Sequence, residues 1–175
     1  MPSVVETRST TLTTRFVDGT HGKDLVTHGQ IAQVLGARGR TLRDIHAVDV
    51  RRIFPDEPGT VLVHGDCGPN NVLLRPGTCE ITAVVDWEWA HAGDAIEDLA
   101  WCGWIVRTFH PDGVHALHGF FTAYGLRPSW TDQHDAMVAR CRQLVDFTEQ
   151  WHGDGAKTTL RRQQLAAEAW TEQGR

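Results

Sequence analysis

VLVHGDCGPNNVLL (residues 61–74), followed at a short distance by ITAVVDWEWAHAGDAIEDLA (residues 81–100), decides the fold of this chain. The apolar run Val61 to Val63 delivers His64, Gly65 and Asp66 to a loop that also holds Gly68, Pro69, Asn70 and Asn71. A second apolar run, Val72 to Leu74, meets a turn signal at Arg75-Pro76-Gly77. A third, Ile81 to Val85, ends in Asp86. The pattern predicts a hairpin with an Asp and an Asn on the loop before it and a second Asp at its far end. Carboxylates on loops at strand ends are common seats of chemistry.

The spacing fits phosphoryl transfer. That reaction needs a carboxylate to orient the attacking hydroxyl, and oxygen ligands for the Mg²⁺ that bridges the nucleotide phosphates. An Asp with an Asn five positions later supplies both from one loop. Asp66 would face the hydroxyl and Asn71 would reach the metal. The hairpin would return Asp86 as the second, charged metal ligand. Mg²⁺ keeps waters and phosphate oxygens, so one Asp and one Asn suffice.

The same stretch resembles the catalytic core of the aminoglycoside phosphotransferase family, a branch of the protein-kinase-like fold. That family carries His-Gly-Asp, four variable positions and Asn, then a second motif of the form Asp-Trp-Glu…Gly-Asp…Asp-Leu-Ala. Here the matching residues are His64, Gly65, Asp66 and Asn71, then Asp86, Trp87, Glu88, Gly93, Asp94, Asp98, Leu99 and Ala100. The resemblance implies that Asp66 is catalytic, that Asn71 and Asp86 hold Mg²⁺, and that ATP is the co-substrate. It further implies that Asp98 braces the catalytic loop through backbone hydrogen bonds and that Asp94 fixes the turn after the metal loop.

Plainer readings exist for each residue. Asp66 and Asn71 are turn-formers by type, but Asp86 and the second motif in register with them favour the catalytic reading. His64 reads as a structural hydrogen-bonding residue, and Asp98 doubles as an N-cap for the helix that follows. A metal-dependent phosphohydrolase using His64, Asp66, Asp86 and His91 is a third possibility, disfavoured because such sites use more His ligands.

At 175 residues and 41% apolar composition the chain is long enough for one domain with its own core, to which seven Trp add large buried surfaces. The net charge of −5 carries no block of one sign, which argues against a nucleic-acid partner. Cys67, Cys79, Cys102 and Cys141 are scattered without zinc spacing, so reduced thiols in a cytoplasmic protein are the default. Cys67 lies in the catalytic loop and reads as a small filler in preference to an oxidation-sensitive thiol. No apolar run approaches the ~20 residues of a membrane span, and the N-terminus lacks a signal peptide's apolar stretch.

Along the chain, Thr11 to Val17 predicts a strand and Asp18 to Gly22 a turn. By resemblance this strand is the last of the nucleotide lobe, and the backbone of Arg15, Phe16 and Val17 forms the hinge that faces adenine. Gly22-Lys23 invites a phosphate-loop reading, which fails because Val17 stands where a Walker motif needs Gly; a solvated turn is the better reading. Helices are predicted over residues 28–48, 99–109, 114–124 (with Gly125 as its cap), 132–151 (with Ser129 capping it) and 158–172, with a turn at 153–155. Gly36 and Gly39 stand out within the first, each costing about 1 kcal/mol relative to Ala. His46, in an Ile-His-Ala segment that resembles the end of the family's first large-lobe helix, reads as a packing residue. Asp146, Glu149, Trp151 and Asp154 offer an acidic cleft for a cationic acceptor, against the simpler reading of solvated helix faces.

The expected fold class is therefore α/β, mostly α: a kinase-like C-terminal lobe with helices around a small hairpin that bears the catalytic and metal loops. Residues 1–22 would be the remnant of the N-lobe's last strand and hinge, and 23–175 the C-lobe. A glycine-rich loop, a strand Lys and its partner helix Glu have no counterparts here, since Lys23 follows the strand. The expected partners are a nucleotide and a small-molecule hydroxyl acceptor, with a further chain supplying the missing lobe. The alternative is a truncated, non-catalytic binding protein of the same fold.

Overall fold

A computed structural model describes residues 3–151 and 154–172, excluding the side chains of 149–157. Strands β1 (Val4–Arg8) and β2 (Thr11–Thr14) pair antiparallel, and every residue of both is exposed. The strand expected over 11–17 thus ends at Thr14. Arg15, Phe16 and Val17 run on as irregular backbone, with the Arg15 amide donating to the Ser3 carbonyl at 2.8 Å.

The turn expected over 18–22 instead supplies β3 (Thr20–His21) and opens helix α1 (Gly22–Thr27). A two-residue edge strand has no alternation to read in a sequence. It exists because Leu73 and Leu74 lie antiparallel beside it, His21 opposite Leu73. The long helix expected from 28 starts three residues later. His28 ends α1, its ring Nδ1 within 2.6 Å of the Asp24 carbonyl, the chain turns at Gly29, and α2 runs Ile31–His46.

Strand β4 (Val61–Val63) pairs antiparallel with β7 (His91–Gly93), Val63 opposite His91. Between them β5 (Val72–Leu74) and β6 (Ile81–Val84) form the expected hairpin, with β3 on its outer edge. Val72, Leu74 and Val84 bury one face of this hairpin against Val34 and Ala37 of α2.

Helix α3 (Ala95–Phe109) is the spine. It begins one turn before the expected Leu99, because Asp94 and Glu97 form a capping box: the Asp94 carboxylate accepts from the Ile96 amide and Glu97 accepts from the Asp94 amide. Asp94 is therefore the N-cap, and Asp98 sits inside the first turn. Every residue from Asp98 to Arg107 is buried, the mark of a helix packed on all sides. Leu99, Cys102 and Val106 face α2 and α4 (Leu117–Tyr124), meeting Leu35, Leu42, Leu117 and Phe120. Ala100, Trp101, Trp104 and Ile105 face α5 (Trp130–Trp151) and α6 (Asp154–Glu168), meeting Met137, Cys141 and Ala167.

Gly39 has a packing reason: a Cβ there would overlap the Phe120 carbonyl and come within 3.1 Å of Ala123, so its absence lets α4 lie close on α2. Gly36 has no such neighbour. The helix expected over 114–124 is a 3₁₀ segment (Pro111–Ala116) leading into α4, with Gly125 as its left-handed cap at φ 98°. Ser129 accepts from the Asp132 amide at 3.1 Å at the start of α5. Helix α6 begins at Asp154, four residues before the expected Thr158; of the turn expected at 153–155, Gly153 lies outside the described residues. The arrangement is mostly helical α/β, helices around small sheets. Among the described residues no helix is long and apolar enough to cross a membrane.

Candidate active site

The catalytic loop is held from beneath by one carboxylate. Asp98 is fully buried and accepts from the backbone N–H of His64 at 2.8 Å, of Gly65 at 2.9 Å, and from the His46 ring at 3.1 Å. Burial pushes its pKa up. The bonds from His46 and the His64 amide, with the Arg38 charge behind them, outweigh burial and hold it below the ordinary carboxylate value. Gly65 adopts φ 81°, and a Cβ there would lie 2.6 Å from the Trp89 carbonyl, so glycine is required on both counts. His46, expected to pack, spans Asp98 and the Tyr124 hydroxyl, 2.9 Å from its Nδ1.

The buried His64 ring fixes the next residue. Its Nε2 lies 3.0 Å from the Val85 carbonyl and must donate; its Nδ1 accepts from the Asp66 amide at 3.2 Å. These partners assign the neutral Nε2–H tautomer. Burial and the nearby Arg38 charge lower its pKa, which keeps that form. Arg38 is buried as well; its Nε donates to the Cys67 carbonyl at 3.3 Å, while Nη1 and Nη2 have no hydrogen-bond partner among the described residues. Cys67 is fully buried with its thiol on the Asp98 carbonyl at 2.8 Å, and burial pushes its pKa well up, so it is a packing thiol.

Above this base Asp66 is clamped on both oxygens. Asn71 Nδ2 donates to Oδ2 at 2.7 Å and to the Asp66 carbonyl at 2.9 Å. Trp101 Nε1 donates to Oδ1 at 3.1 Å. Trp101 is a site residue that the sequence does not single out: it packs in the core and also lies one helical turn beyond Asp98, so it shares the face of α3 that meets the loop. Arg140 of α5 was missed too. Its Nη2 donates to the Gly65 carbonyl at 3.0 Å while its guanidinium lies 4.9 Å from the Trp89 ring centroid.

Asp86 stands in contrast. The Val85 amide donates to the Asn71 carbonyl at 3.1 Å, which sets Asp86 one residue from the catalytic loop. Asp86 is exposed, holds φ 65°, and makes no hydrogen bond or ion pair among the described residues. A non-glycine residue in that region costs about 1–2 kcal/mol. Asn71 Oδ1 accepts from Asn70 Nδ2 at 3.0 Å and keeps a second lone pair. An open carboxylate and an amide oxygen are hard donors that fit Mg²⁺. Among the described residues no group of three or more His, Cys, Asp or Glu converges for a metal. His64 and His91 each have both ring nitrogens engaged, His91 on the Trp89 carbonyl and Glu97, which removes the two His ligands of the phosphohydrolase reading.

A cavity of about 420 Å³ opens beside Asp66, lined by Lys23, Asn70, Trp101, Trp104, Ile105, Phe109 and His110. Lys23, set aside in the sequence as part of a solvated turn, is brought there by the first turn of α1. Glu88 is exposed. Asp146 is exposed on α5 and lines none of the site; the Glu149, Trp151 and Asp154 side chains lie outside the described residues. Phe16 is 85% exposed.

A family profile described as the phosphotransferase enzyme family matches residues 54–144, just over half of the chain. Aminoglycoside 3'-phosphotransferase of Streptomyces fradiae is 42% identical over 52 residues, 30% of this chain and 19% of that protein. Acyl-CoA dehydrogenase family member 11 of Homo sapiens is 28% identical over 92 residues, 52% of this chain and 11% of that protein. The chain thus spans less than a fifth of the length of these relatives. The crystal structure of aminoglycoside-3'-phosphotransferase of type VIII superposes with a TM-score of 0.45 at 19% identity, covering 95% of this chain and 73% of that one. The chain belongs to the phosphotransferase enzyme family.

Proposed function

We propose that this member of the phosphotransferase enzyme family transfers the γ-phosphoryl group of ATP to the hydroxyl of a small molecule. Asp66 orients that hydroxyl and takes its proton as the acceptor oxygen bonds to the γ-phosphorus. The bond from phosphorus to the β-phosphate oxygen breaks and ADP leaves. Asn71 and Asp86 hold Mg²⁺, which when bound neutralises charge on the phosphates. Arg15, Phe16 and Val17 form the hinge beside adenine, residues 1–22 belong with the nucleotide lobe, and 23–175 form the large lobe. The exposed β1–β2 ribbon is marginal alone, and its edge is where a partner chain bearing a glycine-rich loop would add strands.

The observation that carries this reading is the clamp on Asp66: both oxygens held by Asn71 and Trp101, on a loop braced by Asp98, one residue's reach from an exposed Asp86 with no partner among the described residues. Such preorganisation is how phosphoryl transfer is catalysed, since the protein contributes mostly positioning and electrostatics. The test is ATP turnover against a panel of alcohols. Removing a general base costs about 10²–10⁴-fold in rate, so Asp66→Ala should lose that much. Unchanged turnover in that variant would contradict the assignment. The binding-only alternative predicts Mg²⁺–ATP binding with no turnover for any acceptor.

A further inference from the structure

We infer that the acceptor held beside Asp66 is an uncharged alcohol with an apolar, ring-bearing body, and not a polycation. The inference takes from the phosphotransferase reading which atom reacts; the cavity alone says which body fits.

The walls of the 420 Å³ cavity are aromatic and apolar. Trp101 and Trp104 stack at 4.2 Å with an interplanar angle of 6°, and Phe109 meets Trp104 edge-on at 5.8 Å. Phe109 is 56% exposed, a large ring at the rim with one side open. Rings prefer such offset and edge contacts, so a flat ligand body gains on these walls. The volume is at the small end of the range for small-molecule sites.

Charge points the same way. The one carboxylate in the lining is Asp66, whose two oxygens already accept from Asn71 and Trp101. Lys23 is a cation at the same cavity, and its ammonium makes no bond or ion pair among the described residues. His110 is kept neutral by burial, which lowers its pKa. A polycation needs several acceptors and finds, among the residues lining this cavity, a single carboxylate opposed by an ammonium.

The test titrates the full chain calorimetrically with 2-naphthylethanol, with kanamycin and, in parallel, with Mg²⁺–ATP. Trp104 is too buried to replace safely, so the variants are at the exposed Phe109 and Lys23. The naphthyl alcohol should bind more tightly than kanamycin. Phe109→Ser should weaken the alcohol about fivefold, the scale of one aromatic contact. Lys23→Glu should strengthen kanamycin about tenfold while leaving the alcohol within about twofold, since it changes the rim by two charges. Tighter binding of kanamycin to the unaltered chain, no binding of the alcohol, or an alcohol affinity indifferent to Phe109→Ser would each overturn the inference. Alcohol binding that persists where Mg²⁺–ATP does not bind upholds the cavity assignment and counts against the phosphotransferase reading instead; the converse result counts against the cavity alone.

Discussion

Asp66 and Asp86 are the same side chain in opposite circumstances. Asp66 has both oxygens occupied by donors from its own chain and a backbone braced by a buried carboxylate. Asp86 is exposed, has no partner among the described residues, and sits on left-handed backbone. The fold has spent its hydrogen bonds on aiming the first and has left the second open. A group that must point at a hydroxyl needs an orientation fixed beforehand. A group that must accept an ion needs free lone pairs, and its backbone strain marks where function overrides local preference.

The contrast can be broken from the Asp66 side. Beyond the loss of turnover in Asp66→Ala, the largest effect on folding belongs to Asp98→Ala. It strands the amides of His64 and Gly65 and the His46 ring, and breaking a buried charged network of this kind costs about 3–5 kcal/mol. Denaturant unfolding checks it; a loss below about 1 kcal/mol, the scale of one ordinary hydrogen bond, would mean the brace is not what holds the loop. Trp101→Phe is milder. It keeps the ring and removes one hydrogen bond to a carboxylate, about 1.5 kcal/mol at this half-open position. Turnover should fall more than stability does, because the aim of Asp66 is what changes.

Acidification acts on the buried brace and on the half-exposed His91–Glu97 pair with opposite sign. His64 is held below its ordinary value of 6.5, so the unfolded chain takes up that proton first, and stability falls as pH drops below about 6.5. Asp98 is held below 3.8, so its contribution is full above that value and is lost as pH falls through the lowered one. His91 runs the other way. Burial lowers its pKa, but its bonds to the Trp89 carbonyl and Glu97 outweigh that and raise it. It therefore adds stability below about pH 6.5 that fades as pH rises, and little of it, since the pair is solvent-screened. Unfolding measured at pH 7.5, 5.0 and 2.5 should show a two-stage decline, the second stage below 3.8; a flat profile would mean that neither buried group is perturbed by the fold.

What the sequence made legible follows from the range of each interaction. His64 to Asn71 and Asp86 to Asp98 carry their chemistry in local spacing, and the hairpin that joins them is announced by a turn signal between two apolar runs. The longer helices were legible from their buried faces. Trp101 and Arg140 were not, because each reaches the loop across a long stretch of chain: 35 residues separate Trp101 from Asp66, and 75 separate Arg140 from Gly65. Whether an indole on a packed helix turns its N–H to the core or to a carboxylate depends on how α3 rotates against β4, which no local pattern encodes. Strand β3 and helix α1 were missed for the complementary reason: they are too short to show a period and form because β5 and the catalytic loop are already there. Asp98 could be read as a cap or as a brace; the capping box one turn earlier freed it for the loop.

The smallest effect on folding, and the sharpest on function, is expected at the open carboxylate. Asp86→Gly removes the left-handed strain and should change stability by no more than about 1 kcal/mol, the gain being offset by the backbone entropy of glycine. Calorimetric titration with ATP and Mg²⁺ on the unaltered chain and on Asp86→Gly therefore tests the central claim with the fold held constant. If Asp86 and the Asp66 loop share one metal-nucleotide site, Mg²⁺ strengthens ATP binding to the unaltered chain and has no effect on the variant. Equal Mg²⁺ dependence in both would contradict the account.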